Sequence, residues 1–276
     1  MLTIIIALFG AIFGSFASAL IPRLRAKANF VSARSACPAC HHELWILDLF
    51  PIVSYLGLLG KCRYCGVKIP PYHFLLECSM AAMFALVSIV FIDPSLVAAG
   101  DLLHISVGIY LLVAAFVTVV FTAYDLLYME IPDEVVLPFL GVSFLYIGSL
   151  HLLGQEIPYM RDFATLGLNT PLIQGMLWAL PIFGFFLFLI LLTRGRGLGG
   201  WDLRIALFMG FVGGAQIAWL GLFLSYIVGS IIGIGLIIMG RGSKTAIPFG
   251  PFLAIGLWTA LIFHAPILEW YYSFLI

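Results

Sequence analysis

Apolar stretches of membrane-spanning length dominate this sequence. Of its 276 residues, 63% are hydrophobic and only 9% are charged, whereas a soluble domain is roughly 45–50% apolar. The apolar residues gather in runs close to the length that a helix needs to cross a bilayer, roughly 20 residues. The sequence therefore predicts an all-α polytopic membrane protein.

The runs divide the chain into about eight predicted transmembrane helices, at residues 3–21, 73–92, 102–123, 135–153, 172–193, 203–212, 217–239 and 249–272. No basic segment precedes the first run, so we expect a membrane helix there and not a cleaved signal. This run carries Gly10, Gly14, Ser15 and Ser18, small residues that let a neighbouring helix approach closely. The sixth run is unusually short and ends at Gly213-Gly214. The predicted domains are the first helix at 1–22, an extramembrane domain at 23–72 and a membrane core at 73–276.

Lysine and arginine are distributed unevenly around these runs. With eight spans, only Arg161 lies on one side of the membrane. The other side holds Arg23, Arg25, Lys27, Arg34, Lys61, Arg63, Lys68, Arg194, Arg196, Arg204, Arg241 and Lys244. Because positive loops stay in the cytoplasm, we expect that face to be cytoplasmic and both termini to be outside. The same rule explains the basic charge of residues 23–72 without nucleic acid.

The only substantial polar region contains two Cys-x-x-Cys pairs, separated by 21 residues: Cys37 with Cys40, and Cys62 with Cys65. This spacing is typical of a structural four-thiolate zinc site, and thiols stay reduced in the cytoplasm. The alternative is a pair of redox disulfides. His41 and His42 are possible substitute ligands, and Cys78 is a packing residue within a membrane span. Turn-forming residues in the region favour short strands and loops over helices.

Carboxylates cluster where the third run ends. Asp125 is followed by Glu130, Asp133 and Glu134, and carboxylates at or near lipid depth are functional candidates by default. A lone aspartate, Asp202, precedes the short sixth run. If these helix ends converge, Asp125 and Asp202 form a pair that shares one proton, supplying a base to activate water and an acid to protonate a carbonyl.

Other readings of these carboxylates stay open from the residues alone. Asp202 and Asp133 could be N-caps of the helices that follow them. A transporter or ion pathway would also use membrane carboxylates. A non-catalytic assembly protein with a structural zinc domain is a further alternative.

Ordered motifs along nearly the whole chain resemble those of one family. They are Gly14-Ser15-Phe16, the segments 34–40, 48–56 and 60–66 around the cysteines, residues 69–77 leading to Glu77, Asp125 with Ile131-Pro132-Asp133, Asp202, and residues 248–254 around Gly250. In these the chain resembles the bacterial prepilin peptidases (type IV prepilin leader peptidases), membrane aspartic proteases of the GxGD type. One departure concerns the second motif, where Trp201 replaces the glycine before Asp202 and Arg204 replaces a lysine of different geometry.

The resemblance implies a function and its partners. The substrates would be prepilins or pseudopilins, cut at the cytoplasmic membrane face, with Asp125 and Asp202 catalytic. Glu130, Asp133 and Glu134 would attract the basic leader, while Gly199 and Gly200 would let backbone approach the substrate beside Arg204. The family further implies N-methylation with S-adenosylmethionine, for which the cysteine domain and Glu77 are candidates. Glu77 could equally be a partner for Arg or Lys at the membrane surface. The sequence does not indicate an oligomeric state.

Overall fold

The computed structural model describes residues 1–27, 35–157, 159, 180–181, 183–188, 191–192, 202–240 and 247–273. The helices with described bounds are α1 Leu2–Arg25, α2 Val53–Gly57, α3 Pro71–Phe91, α4 Pro94–Ala98, α5 Leu102–Tyr128, α6 Asp133–Leu152, α7 Asp202–Ile238 and α8 Gly250–Tyr272. A 3-10 turn covers Ile46–Asp48. The short strands expected around the cysteines are not formed in this part of the chain, where only two isolated bridges occur, Ala36 with Glu43 and Lys61 with Lys68.

Six of the described helices are long and apolar enough to cross a membrane: Leu2–Arg25, Pro71–Phe91, Leu102–Tyr128, Asp133–Leu152, Gln216–Ile238 and Gly250–Tyr271. They match six of the predicted runs and confirm the predicted class, an all-α polytopic membrane protein. Of the run at 172–193, residues 180–181, 183–188 and 191–192 are described, and they are helical. The short run at 203–212 forms the first half of α7. A total of eight spans stays a prediction.

The chain divides into two compact units, Met1–Val120 and Phe121–Ile276. In the first unit α1 packs along α3, and glycines set how closely the two helices approach. A Cβ at position 10 would lie 2.8 Å from the Cβ of Phe84, and one at position 14 would lie 2.6 Å from the Cα of Glu77. The close approach predicted for Gly10 and Gly14 is therefore confirmed. The ring of Phe13 packs against Phe84, with centroids 5.9 Å apart.

In the second unit α7 turns back on itself. Gly214 has φ 69° and ψ −163°, which interrupts the helix, and a positive φ is readily adopted only by glycine. The methyl carbon of Met209, before the turn, lies 3.1 Å from where a Cβ of Gly221, after the turn, would be. The second half of α7 thus folds back toward the first. The second half also packs on α8, since a Cβ at Gly221 would lie 3.0 Å from the Cα of Leu257.

Candidate active site and metal centre

Asp125 lies in the last turn of α5 and is only 6% exposed. Its Oδ2 atom accepts a hydrogen bond of 2.7 Å from the backbone N–H of Gly250, the first residue of α8. Helix N-termini favour negative charge because their first N–H groups have no partner within the helix. A Cβ at position 250 would lie 2.7 Å from the same Oδ2. Glycine is therefore the residue that allows α8 to approach the carboxylate.

Asp202 is the first residue of α7 and is 9% exposed. Two residues further on, the Arg204 guanidinium donates to the carboxylate of Asp133, the first residue of α6. The N-cap of α6 is Pro132, so Asp133 does not cap that helix as the structural alternative suggested. The ion pair joins the first turns of α6 and α7, and it connects the two carboxylate-bearing segments of the sequence.

An aromatic cluster gathers the helix ends that carry the aspartates. Phe208 on α7 is fully buried, and its ring centroid lies 5.6 Å from that of Phe121 on α5 and 5.0 Å from that of Phe139 on α6. Phe121 precedes Asp125 by about one helical turn. The rings thus hold α5, α6 and α7 together within about two turns of their aspartates, and the pairing of Asp125 with Asp202 stays a prediction.

The other residues predicted for this site are either more exposed than the two aspartates or lie outside the described residues. Glu130 is partly buried and Glu134 is exposed. Gly199, Gly200 and the exchanged Trp201 lie outside the described residues. The sequence indicated the segment around Gly250 as part of a motif, but it did not predict the hydrogen bond from the Gly250 amide to Asp125.

The four predicted cysteine ligands form one cluster. The Sγ atoms of Cys37, Cys40, Cys62 and Cys65 all lie within 4.8 Å of one another, and those of Cys37 and Cys65 are 3.8 Å apart. A tetrahedral zinc ion with Zn–S bonds of about 2.3 Å sets sulfur atoms about 3.8 Å apart. The cluster therefore fits zinc. All five cysteines of the chain are free thiols, and His42 instead stacks on Tyr64 with ring centroids 3.6 Å apart.

Two equivalent turns present the sulfur atoms. Cys37 N–H donates to the His42 carbonyl at 3.0 Å and Cys62 N–H to the Val67 carbonyl at 2.8 Å. Each turn contains a residue of positive φ just after its second cysteine, His41 at 56° and Gly66 at 72°. The two pairs thus follow the same backbone course, 25 residues apart. Equal turns with facing sulfurs explain why two sequence-distant pairs converge on one point.

The thiols of the cluster ionise unequally. Backbone N–H groups of Cys40 and Ala39 point at the Cys37 sulfur and lower its pKa to about 6. The Val67 amide acts in the same direction on Cys65, but burial and the neighbouring sulfurs raise that pKa to about 12. Four thiolates held this close repel one another, so full ionisation needs a bound cation.

The Asp48 carboxylate links the 3-10 turn to the second cysteine turn through hydrogen bonds. Its carboxylate accepts hydrogen bonds from the Trp45 amide at 3.1 Å, the Tyr64 hydroxyl at 2.9 Å and Arg63 Nε at 2.6 Å. Burial works to raise the pKa of the Asp48 carboxyl, but the Trp45 amide, the Tyr64 hydroxyl and Arg63 hold it below its usual range. Arg63 and Tyr64 are the two residues between Cys62 and Cys65, so this carboxylate supports the metal-binding turn.

Glu77 faces a cavity between the cysteine turns, the end of α1 and the start of α3. The carboxylate is 8% exposed, accepts the Ile52 N–H at 2.7 Å and accepts the Ser15 hydroxyl. Ile52 has φ 64°, a conformation that a β-branched residue adopts only under strain. The cavity has a volume of about 580 Å³, and Arg23, Tyr72 and His73 contribute to its lining.

Comparison with known proteins agrees with this architecture. Residues 8–91 match the bacterial peptidase A24 N-terminal domain, and residues 111–234 match the type IV leader peptidase family. Proteins named prepilin leader peptidase/N-methyltransferase are similar to the chain. That of Aeromonas salmonicida is 32% identical over 89% of this chain and 76% of its own length. That of Bacillus subtilis is 30% identical over 97% and 96%, and that of Pseudomonas aeruginosa 31% identical over 91% and 78%. No solved structure matches the chain.

The fold and the two sites define a class: a helical membrane enzyme with a four-cysteine module after its first helix and buried aspartates at converging helix ends. The chain belongs to the type IV leader peptidase family. This finding confirms the resemblance drawn from the motifs. Membership in a peptidase family also favours an enzyme over the transporter and assembly-protein alternatives.

Proposed function

We propose that this protein is a membrane aspartic endopeptidase that removes the short basic leader from type IV prepilins or pseudopilins. The observation that carries the proposal is the placement of the two aspartates. Asp125 is buried and held by an N–H at the start of α8, and Asp202 is buried at the start of α7. The family and the names of its relatives supply the substrate class.

The chemistry follows from two buried carboxylates. Close carboxylates cannot both ionise easily, so the pair shares one proton. The ionised member takes a proton from water, and the resulting hydroxide adds to the scissile carbonyl carbon. The protonated member gives its proton to the carbonyl oxygen. Collapse of the tetrahedral intermediate then breaks the C–N bond as the leaving amine is protonated. The Gly250 amide binds one oxygen of Asp125 and so fixes the orientation of this carboxylate.

The acidic residues around α6 would recognise the leader. Asp133 and Glu134 lie in the first turn of α6 and Glu130 lies just before it, so the three negative charges are close to Asp125 in sequence. Arg204 binds Asp133, which offsets one of these charges and fixes the start of α7. The attraction for a basic leader is expected to weaken with salt. Gly199 and Gly200 would allow the substrate backbone to come close to Asp202.

We further propose that the protein lies in the bacterial inner membrane with its active site and cysteine module in the cytoplasm. The distribution of lysine and arginine supports this orientation, with both termini on the opposite side. The cysteine module would hold a structural zinc ion, because all four ligands come from protein and leave no open position.

The test is cleavage of a prepilin-like peptide that carries a basic leader and an apolar helix, in liposomes. Wild-type protein should cleave it, whereas Asp125→Asn and Asp202→Asn should each lose cleavage while they retain zinc and the wild-type unfolding temperature. Asn keeps the size of the side chain and still accepts hydrogen bonds, so both variants would stay active if the aspartates had a purely structural role. Cleavage by either variant at the wild-type rate would refute the pairing, and an inactive wild type across several leaders would favour the assembly-protein alternative.

A second activity, N-methylation of the new terminal amine, is supported by the cavity at Glu77. Its volume of about 580 Å³ lies within the range of small-molecule sites, roughly 300–1,000 Å³. The buried Glu77 carboxylate would complement a cationic ligand, and S-adenosylmethionine carries a sulfonium whose methyl group is the one transferred. Glu77, held by the Ile52 amide and Ser15, would bind and orient the charge.

Binding and product analysis would test this second activity separately. Wild type should bind S-adenosylmethionine, whereas Glu77→Gln should bind it at least tenfold more weakly and should still cleave the leader. The mass of the cleaved pilin shows whether a methyl group was added. Unchanged binding by Glu77→Gln would remove Glu77 from the ligand site.

A further inference from the structure

The hydroxyl of Tyr226 is buried and has no hydrogen-bond partner among the described residues. A buried tyrosine hydroxyl normally finds a partner, and a buried polar group without one calls for an explanation. Packing accounts for the ring of Tyr226, which lies 5.3 Å from the ring of Phe249 between centroids. Packing alone leaves the hydroxyl unexplained.

The turn at Gly214 brings Tyr226 beside Asp202. The two residues lie equally far from Gly214, twelve positions before and twelve after. Because the second half of α7 folds back toward the first, such positions approach one another. The contact between Met209 and Gly221, which lie closer to the turn, shows the same approach of the two halves of α7. The Asp202 carboxylate is close enough to Tyr226 to act electrostatically on the phenol.

The Tyr226 ring also packs beside the start of α8, the element that binds Asp125. Phe249, which packs on the Tyr226 ring, immediately precedes Gly250, whose N–H donates to Asp125. One turn further along α7, a Cβ at Gly229 would lie 3.2 Å from the ring of Phe252, so this stretch of α7 is in close contact with the start of α8. Tyr226 therefore lies between Asp202 and the element that holds Asp125.

A second hydroxyl on the same helix as Asp125 is also unsatisfied. Thr122 precedes Asp125 by three residues on α5, and its buried Oγ1 has no partner in the described part of the chain. Two unsatisfied hydroxyls thus accompany the two aspartates on their own helices. Because these hydroxyls have no partner among the described residues, they are able to form hydrogen bonds with water or with the backbone of a bound peptide.

We propose that the Tyr226 hydroxyl donates a hydrogen bond to the carbonyl oxygen of the scissile peptide. The bond strengthens as water adds to the carbonyl carbon and negative charge gathers on that oxygen. Tyr226 keeps its own proton throughout, while the two aspartates exchange protons with water, the tetrahedral oxygen and the leaving amine. This inference rests on the proposed peptidase function and adds a catalytic residue to it.

The test is Tyr226→Phe, which removes the hydroxyl and keeps the ring on Phe249. Loss of one such donor lowers kcat by about 10²- to 10³-fold, and we expect KM for the prepilin-like peptide to change by less than about threefold because the bond acts in the transition state. Tyr271→Phe is the matched control, since Tyr271 is exposed near the end of α8. This control should cleave at the wild-type rate.

A second measurement separates this role from a structural one. A peptide that carries a tetrahedral hydroxyl group in place of the scissile carbonyl should bind Tyr226→Phe more weakly by about the factor lost in kcat, whereas the uncleaved substrate peptide should bind equally well. Wild-type kcat in Tyr226→Phe, or unchanged affinity for the hydroxyl-bearing peptide, would overturn the assignment. The proposed peptidase function would survive that outcome, provided that wild type cleaves the peptide and both aspartate variants do not.

Discussion

Replacing Gly250 by alanine tests whether the start of α8 positions Asp125. The added methyl carbon would lie 2.7 Å from Oδ2, 3.3 Å from Cγ and 3.4 Å from Cβ of Asp125. The first distance is well inside van der Waals contact, so the carboxylate oxygen must retreat by about half an ångström or more. Misplacing a catalytic group by about 1 Å can lower the rate about 10²-fold, which corresponds to about 2.7 kcal/mol in the activation free energy.

The assay is kcat/KM for cleavage of the prepilin-like peptide in liposomes, measured beside the unfolding temperature. Gly250→Ala should cleave about 10- to 100-fold more slowly and unfold within a few degrees of wild type, because alanine is favoured over glycine in a helix by about 1 kcal/mol. Gly148→Ala on α6 is the control, since a Cβ there would meet nothing within 4 Å. Wild-type cleavage by Gly250→Ala would refute the argument that this amide and carboxylate are closely fitted.

Four further predictions concern the supports of the two sites. Arg204→Ala and Asp133→Ala should be coupled in a double-mutant cycle of unfolding by about 0.5–1 kcal/mol, since both side chains of the ion pair are about one-third exposed; additive effects would show that the pair contributes nothing. Cys62→Ser should lower zinc content and unfold the first unit at lower temperature, measured by metal analysis and calorimetry, whereas Cys78→Ser should retain zinc. Asp48→Asn should weaken the module by about 1–2 kcal/mol because it loses charge-assisted bonds to Arg63 and Tyr64, and zinc competition with a chelator should show the loss; an unchanged competition curve would contradict it. Ile52→Gly should stabilise the first unit by about 1 kcal/mol, seen in its unfolding temperature, because it relieves a positive φ and keeps the N–H that binds Glu77.

The sequence predicted those parts of the molecule that follow from local pattern. Run length located six of the described membrane helices, and the spacing of the cysteines located their cluster, because a Cys-x-x-Cys turn fixes the direction of its two sulfurs. The paired glycines at 213–214 marked a break in the helix. These signals each depend on residues near one another in the chain.

The sequence did not predict contacts made between distant segments. Asp125 and Gly250 are 125 residues apart, and nothing local to either indicates that an amide of one meets the carboxylate of the other. Tyr226 lies in an apolar run and resembles an interfacial aromatic until the turn at Gly214 is known. The strands expected around the cysteines failed for a different reason: two metal-binding turns and the Asp48 hydrogen bonds order that segment with only single bridges.

The turn at Gly214 also sets which part of a neighbouring helix Asp202 faces. The second half of α7, Gln216–Ile238, has 23 residues and is about 34 Å long at 1.5 Å per residue. Tyr226, on which Asp202 acts, lies about 15 Å from the start of this half, so the carboxylate is flanked by helix and not open to solvent on every side. Water and the scissile peptide must both reach a carboxylate that helices surround. A substrate helix hides its carbonyls in its own hydrogen bonds, so residues that loosen the helix near the cut should speed cleavage, and stretches of strong helix formers should slow it.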